Sequence, residues 1–362
     1  MFAFLKWTGI VIGSLAAILT VLVIWSDRDH SEITSRVFGD RSRLVKPDFE
    51  GTPVDQKGRF VNLEFPFLPK TLDMLKWIAK TNDLADEKKT DLERIQVADP
   101  TEFLQSGRDG ILWLGHASFY VRLDGRSILI DPVFGKPPFI TEYVALESPL
   151  DDLPAVDVVL LSHDHRDHMD ENTIKAIAAK FPDAVFLAGL GSDELLGEWV
   201  GSQKRTTTAG WFEQFDSAGD VRFYFLSVRH WSRRGLFDTN RRLWGGFVIQ
   251  HADTTIYFGG DSGYGNHYRE LAEVFPKIDY FLLGIGAFEP RFIMEPNHNS
   301  PIEAVKAFAD SKAETIVPMH YGRFDLSDEP PSMPLREFLE ETKRTGIEDK
   351  VRVLPIYGSI DL

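Results

Sequence analysis

Three histidines and three carboxylates are crowded into the run His163-Asp164-His165-Arg166-Asp167-His168-Met169-Asp170. Neutral imidazole and carboxylate oxygen are the ligands that divalent transition metals take, zinc above all. The chain has no cysteine, which excludes thiolate sites and disulfides and leaves N and O ligands alone. On an extended loop, residues two apart point the same way, so His163 and His165 can grip one ion. Asp167 and His168 can then turn to a second ion nearby. Four side chains do not saturate two metals, so further ligands are expected at the ends of other strands.

The elements that must position this cluster are short strands and tight turns. Ala155 to Leu161, just before it, is mostly apolar and rich in valine, as a buried strand is. The spacing predicts strands over 111–114, 119–123, 127–130, 184–188, 221–228, 246–250, 254–258, 280–283 and 315–318. Asp124-Gly125 marks a hairpin between the second and third of these. Helices are expected over 68–79, 86–95, 172–180 and 301–309, the first with an apolar face of Leu72, Leu75, Trp77 and Ile78. Strands with intervening helices predict an α/β protein, with sheets sandwiched between helical layers. Three ligand types follow apolar strands in the same way as the cluster. His230 follows Phe223 to Val228, Asp261 follows Ile256 to Gly260, and His320 follows Ile316 to Met319. Asp261 is the natural bridging carboxylate, since it can offer an oxygen to each ion.

The 362 residues carry a net charge of -15, which argues against a nucleic-acid partner. Trp7 to Trp25 holds no charged residue and spans roughly 28 Å as a helix, close to the thickness of a bilayer's hydrocarbon core. A tryptophan at each end suits the two interfaces. No small-x-small cleavage site follows, so an uncleaved transmembrane anchor over 1–26 is expected ahead of a cleaved signal peptide. Lys6 favours an internal amino terminus and a catalytic domain outside the cytoplasm, on the periplasmic side in a bacterium. Residues 27–59 are polar and read as a linker or extended lead-in, with the catalytic domain over 60–362.

Several motifs share an order and spacing. They are Trp113-Leu114-Gly115-His116-Ala117, Asp131-Pro132, the metal cluster, His230-Trp231, Leu243-Trp244-Gly245 and Gly260-Asp261-Ser262-Gly263-Tyr264. Gly286 to Phe292, His298 ahead of Glu303-Ala304-Val305, and His320-Tyr321-Gly322 complete the set. Together they resemble the metallo-β-lactamase fold superfamily. Within it they resemble the N-acylphosphatidylethanolamine-hydrolysing phospholipases D and their bacterial relatives, over about Phe60 to Gly346.

The resemblance implies an αββα four-layer sandwich and a pair of zinc ions, with other divalent transition metals as substitutes. His163, His165 and His230 would hold one ion, and Asp167, His168 and His320 the other, with Asp261 between them. It further implies a metal-bridging hydroxide as the nucleophile of a phosphodiesterase, with Asp167, Asp261 and His298 in catalytic roles. A metal-bound water, Asp261 or His298 would protonate the leaving alkoxide. His116, Tyr264, Phe288, His298 and Tyr321 are expected at the substrate, though His116 also suits a structural turn. The expected partners are a phospholipid or other small amphipathic molecule and the membrane, with a homodimer left open. A lactonase or carboxylic ester hydrolase on the same metals is the alternative, followed by a non-hydrolytic metal-bearing envelope protein.

Overall fold

The structure is a computed structural model that describes residues 32–216 and 219–362. The expected anchor over 1–26 lies outside the described residues. Strands β1 (Ile33–Val37) and β2 (Thr52–Asp55) form an antiparallel pair, followed by helices α1 (Thr71–Ala79), α2 (Ala85–Thr90) and α3 (Thr101–Ser106). The first large sheet begins with the meander β3 (Gly110–Gly115), β4 (Ser118–Leu123) and β5 (Arg126–Ile130). After the short β6 (Thr141–Glu142) come β7 (Val158–Leu161), α4 (Glu171–Lys180), β8 (Val185–Gly189), α5 (Asp193–Val200) and β9 (Thr206–Ala209). These add parallel strands to the edge at β5.

The second sheet starts with β10 (Glu213–Gln214), β11 (Arg222–Leu226), β12 (Gly246–His251) and β13 (Thr254–Phe258), all antiparallel. Then follow α6 (His267–Val274), β14 (Tyr280–Gly284), α7 (Arg291–Met294), α8 (Pro301–Ser311) and β15 (Thr315–Met319), with β14 and β15 parallel. The chain closes with β16 (Phe324–Asp325), paired to β6, then α9 (Met333–Thr345) and β17 (Ser359–Asp361), which returns to β3 in the first sheet.

Strand periodicity builds the layers. In β3, Ile111 and Trp113 face the second sheet, while Leu112 and Leu114 face the helices α4 and α5. β7 repeats this with Val158 and Leu160 against Val159 and Leu161. Both faces of each strand are therefore buried, which is why these runs are apolar throughout. On the far side, Leu271 of α6, Val305 and Phe308 of α8 and Phe338 of α9 cover the second sheet. The αββα sandwich expected from the sequence is thus present. The helix expected over 86–95 stops at Thr90.

Residues 32–59, the described part of the expected linker or extended lead-in, are fastened to the domain. Phe49 is buried, 4.8 Å from the Phe212 ring centroid, and Phe38 meets it edge-on. Gly39 and Asp40 donate backbone N–H bonds to Glu213. Polar composition concealed these few anchoring aromatics. Phe49→Ala should therefore destabilise the domain by about 3 kcal/mol in a denaturant titration. A change of about 0.5 kcal/mol or less, as at an exposed site, would show the lead-in to be detached.

Candidate metal centre

All the expected ligands stand at one rim of the sandwich, each just past the end of a strand. β7 delivers residues 163–168, β13 delivers Asp261 and β15 delivers His320, while His230 lies four residues beyond β11. His116, Asp131 and His320 have positive φ of 55°, 40° and 60°. Such backbone strain in residues with side chains persists where surrounding structure enforces it, commonly at functional sites.

The side chains converge as two clusters. In the first, His163 Nε2 is 3.0 Å from His165 Nδ1, which is 3.1 Å from His230 Nε2. Zn–N bonds of about 2.05 Å in a tetrahedron place donor nitrogens about 3.3 Å apart, so this spacing fits one cation. In the second, Asp167 Oδ2 is 3.7 Å from both His168 Nε2 and His320 Nε2. Asp261 lies between them. Its Oδ2 is 3.9 Å from His163 Nε2, 3.8 Å from His230 Nε2 and 3.2 Å from His168 Nε2, and its Oδ1 is 3.1 Å from His320 Nε2. His168 Nε2, His320 Nε2 and Asp261 Oδ1 are buried with no hydrogen-bond partner. Buried polar atoms without partners are costly, so inward-facing donors of this kind fit a bound cation.

The outer faces of the rings are held. His168 Nδ1 meets Asp131 Oδ2 at 2.7 Å, His163 Nδ1 meets Ser162 Oγ at 2.9 Å and His230 Nδ1 meets the Asn297 carbonyl at 3.1 Å. His116 Nε2 meets Asp167 Oδ2 at 3.1 Å. Such partners fix ring orientation and ligand basicity. Asp131 and Asn297 were missed as functional residues. Asp131-Pro132 at the end of β5 was the available signal, whereas a carbonyl acceptor leaves none. The other polar residues of the loop serve the scaffold. Asp164 pairs with Arg242 at 2.9 Å and Asp170 caps α4 through Thr173 N–H, while Arg166 is exposed.

Electrostatics divides the clusters. Burial pushes His165 down to about 4 and His230 to about 3, so both are neutral at pH 7. Burial opposes charge on His168 and His320 as well, but Asp261 and Asp167 outweigh it. His168 is held well above its ordinary range and His320 is raised to about 9. Burial likewise disfavours ionised Asp167 and Asp261, and the surrounding imidazoles hold both carboxyls far below the usual range. Without a cation, two imidazolium charges therefore balance two carboxylates.

Above the centre lies a cleft of about 230 Å³. His165, Asp167, Asp261, His298 and His320 form its floor, and Phe67, Met74, Trp77, Trp231, Phe292 and Met294 form its walls. His298, expected at the substrate, lines the cleft, with its Nδ1 3.8 Å from Asp261 Oδ2. The other residues expected there do not line the cleft. His116 is buried behind Asp167. Tyr264 turns its hydroxyl to Asp310, Phe288 is buried, and Tyr321 stacks on Trp113 with centroids 5.5 Å apart. A turn after a strand sends successive side chains to opposite sides, so neighbours of site residues point into the core. The α1 side chains Met74 and Trp77 take their place.

Two outcomes follow from this geometry. Asp131→Ala should weaken metal binding at the His168 cluster about 10- to 100-fold in a chelator competition, with a smaller loss at the His163 cluster, whose Ser162 anchor is itself bonded to Asp131. Metal loading at pH 7 should release about two protons per chain from His168 and His320, in addition to any proton lost by metal-bound water. Calorimetry in buffers of different ionisation enthalpy reads this, and release should fall as pH rises through about 9, where His320 is already neutral.

Comparison with known proteins agrees with the geometry. A family profile described as a beta-lactamase superfamily domain matches residues 126–321. The chain is 29% identical over 246 residues to N-acyl-phosphatidylethanolamine-hydrolyzing phospholipase D 1 of Caenorhabditis elegans, covering 63% of this chain and 68% of that one. It is 32% identical over 221 residues to a metal-dependent hydrolase of Caldivirga maquilingensis, covering 59% and 82%. Among solved structures, a metallo hydrolase from Ignicoccus hospitalis shares the fold, with a TM-score of 0.54, 22% identity and coverage of 70% and 98%. Rim, donor clusters and relatives together place this chain in the beta-lactamase superfamily, as a metal-dependent hydrolase of the metallo-β-lactamase fold.

Proposed function

We propose that the chain is a membrane-anchored dizinc phosphodiesterase of the phospholipase D type, acting on N-acylphosphatidylethanolamine-like phospholipids. The observation that carries the reading is Asp261, which lies between two donor clusters at the floor of an apolar-walled cleft. His163, His165 and His230 would hold one ion, and Asp167, His168 and His320 the other. Divalent cations there supply Lewis acidity to a phosphoryl oxygen and make water nucleophilic at neutral pH.

The chain's own residues do the positioning. Asp131 and Ser162 fix His168 and His163, and His116 fixes Asp167. His298, pushed down to about 3 by burial, is neutral and stands on the cleft floor beside Asp261. It offers a hydrogen bond at the leaving oxygen of a substrate seated on the floor. The aromatic walls exclude water and suit an alkyl chain.

Membrane contact has its own support. Leu72, Leu75 and Ile78 of α1 and Phe292 of α7 are exposed beside the cleft. A contiguous exposed apolar rim marks an interaction surface. No helix among the described residues is long and apolar enough to cross a membrane. In this reading the Trp7–Trp25 run anchors the chain, with the catalytic domain on the extracytoplasmic side.

The test presents zinc-loaded protein with N-acylphosphatidylethanolamine in mixed micelles and, side by side, with lactones and carboxylic esters. Release of an N-acylethanolamine is expected, and Asp261→Asn should reduce it about 100-fold or more. Turnover of lactones without phosphodiester cleavage would overturn the phosphodiesterase reading.

A further inference from the structure

His267 stands near the rim but outside both donor clusters and outside the cleft. It is the first residue of α6, and its Nε2 is 3.1 Å from Oγ of Ser262, the neighbour of Asp261. Its ring centroid is 3.9 Å from that of the fully buried Tyr268. Its Nδ1 is buried with no hydrogen-bond partner.

The protons of this contact can be assigned. Ser262 Oγ is 3.0 Å from Arg229 N and 2.8 Å from the Gly263 carbonyl. A serine hydroxyl has one proton to give and two lone pairs to fill. Given to Gly263, the proton leaves Oγ to accept from Arg229 N–H and from His267 Nε2–H. Given to His267, it would force the ring's own proton onto Nδ1, a buried donor with nothing to receive it. Burial and the nearby Arg229 push His267 down to about 3, so the ring is neutral and carries one proton. The Nε2–H form therefore fits, and it saturates Ser262 Oγ.

Ser262 is itself buried and joins three segments of the rim. It follows Asp261, its Oγ holds the backbone beside His230, and its carbonyl accepts Asn299 N–H at 2.7 Å. Asn299 Nδ2 in turn donates to the Tyr268 hydroxyl at 2.8 Å. The circuit closes at Asn297, whose carbonyl meets His230 Nδ1 at 3.1 Å. His298 lies between Asn297 and Asn299, so both its chain neighbours are tied down.

We infer that His267 is a positioning residue: through Ser262 it fixes His230 and His298 about Asp261, without touching metal or substrate. The inference rests on the metal assignment proposed above and not on the bond cleaved. A preorganised centre needs its ligands held to within about 0.5 Å by packing and outer hydrogen bonds, and this circuit supplies them.

The experiment uses full-length protein, first metal-free and then with cobalt(II) as the spectroscopic probe. His267→Phe keeps the ring and loses the N–H, His267→Gln restores an N–H, and Ser262→Ala removes the acceptor. In metal-free protein, hydrogen exchange at the Arg229 and Asn299 amides should quicken about fivefold in His267→Phe and more in Ser262→Ala, while β4 and β12 stay at wild type. Cobalt(II) affinity at the His163, His165 and His230 cluster should fall about tenfold in His267→Phe, with a smaller loss at the cluster that shares Asp261. The visible spectrum of the bound cobalt(II) should change with it, and His267→Gln should recover both.

Wild-type exchange at Arg229 and Asn299 in His267→Phe would overturn the inference. Exchange that quickens throughout the chain would do the same, as would equal losses of cobalt(II) affinity in His267→Phe and His267→Gln, since either marks a packing role. A wild-type rim that binds no cobalt(II) would remove the metal assignment instead, and the exchange rates alone would then decide the positioning.

Discussion

Two carboxylates, the partly buried Asp167 and the buried Asp261, lie at the rim of a β-sandwich within a shell of imidazoles. Taking such charge out of water costs several kcal/mol per ion unless opposite charge and hydrogen bonds compensate. The rest of the rim is arranged around that cost. Asp131, itself fully buried, accepts from Ser162 N–H and orients His168. His116 turns its ring onto Asp167 from a strained turn, and its carbonyl accepts the His320 N–H at 3.0 Å. These contacts link β3, β5, β7 and β15, so the centre forms only when both sheets have closed. A cation in each cluster would take over the charge balance that His168 and His320 supply as imidazolium.

The same constraint explains what sequence could reveal. His163 to His168 lie together, so their chemistry was legible without a fold. His230, Asp261 and His320 were legible because each follows a strand that brings its end to one rim. The second-sphere partners were harder. Asp131 and His168 are 37 residues apart and His230 and Asn297 are 67 apart, so only the folded chain brings them into contact. Substrate contacts were the least legible. Phe288 and Tyr321 sit beside site residues in sequence, yet the strand-end turns send them into the core. The sequence did mark α1 as amphipathic, but its apolar face is not packed away.

That helix ties the centre to its surroundings. None of its residues is buried, and Leu72, Leu75 and Ile78 face solvent. An isolated helix of this length is marginal in water. Polar contacts hold the α1–α2 region to the loop beyond His320. Trp77 Nε1 donates to Asp328 Oδ1 at 2.9 Å, Asn82 donates to the Asp328 carbonyl at 2.9 Å, and Lys88 pairs with Asp325. The cleft wall is thus a weakly stabilised element set in place by a few polar contacts, with an apolar outer face. Local elements of low stability beside a site are those that move when a ligand enters. Access to the cleft would therefore be governed by this short helix.

In the proposed centre one carboxylate, Asp261, would be shared by two metal ions. Anomalous X-ray diffraction from zinc-loaded crystals, collected on both sides of the zinc edge, addresses it directly. The account predicts two zinc peaks per chain, one among His163, His165 and His230 and one among Asp167, His168 and His320, with Asp261 between them. A single peak at the rim, or zinc bound instead at the outlying Asp124, Asp220 and His251 group, would contradict it.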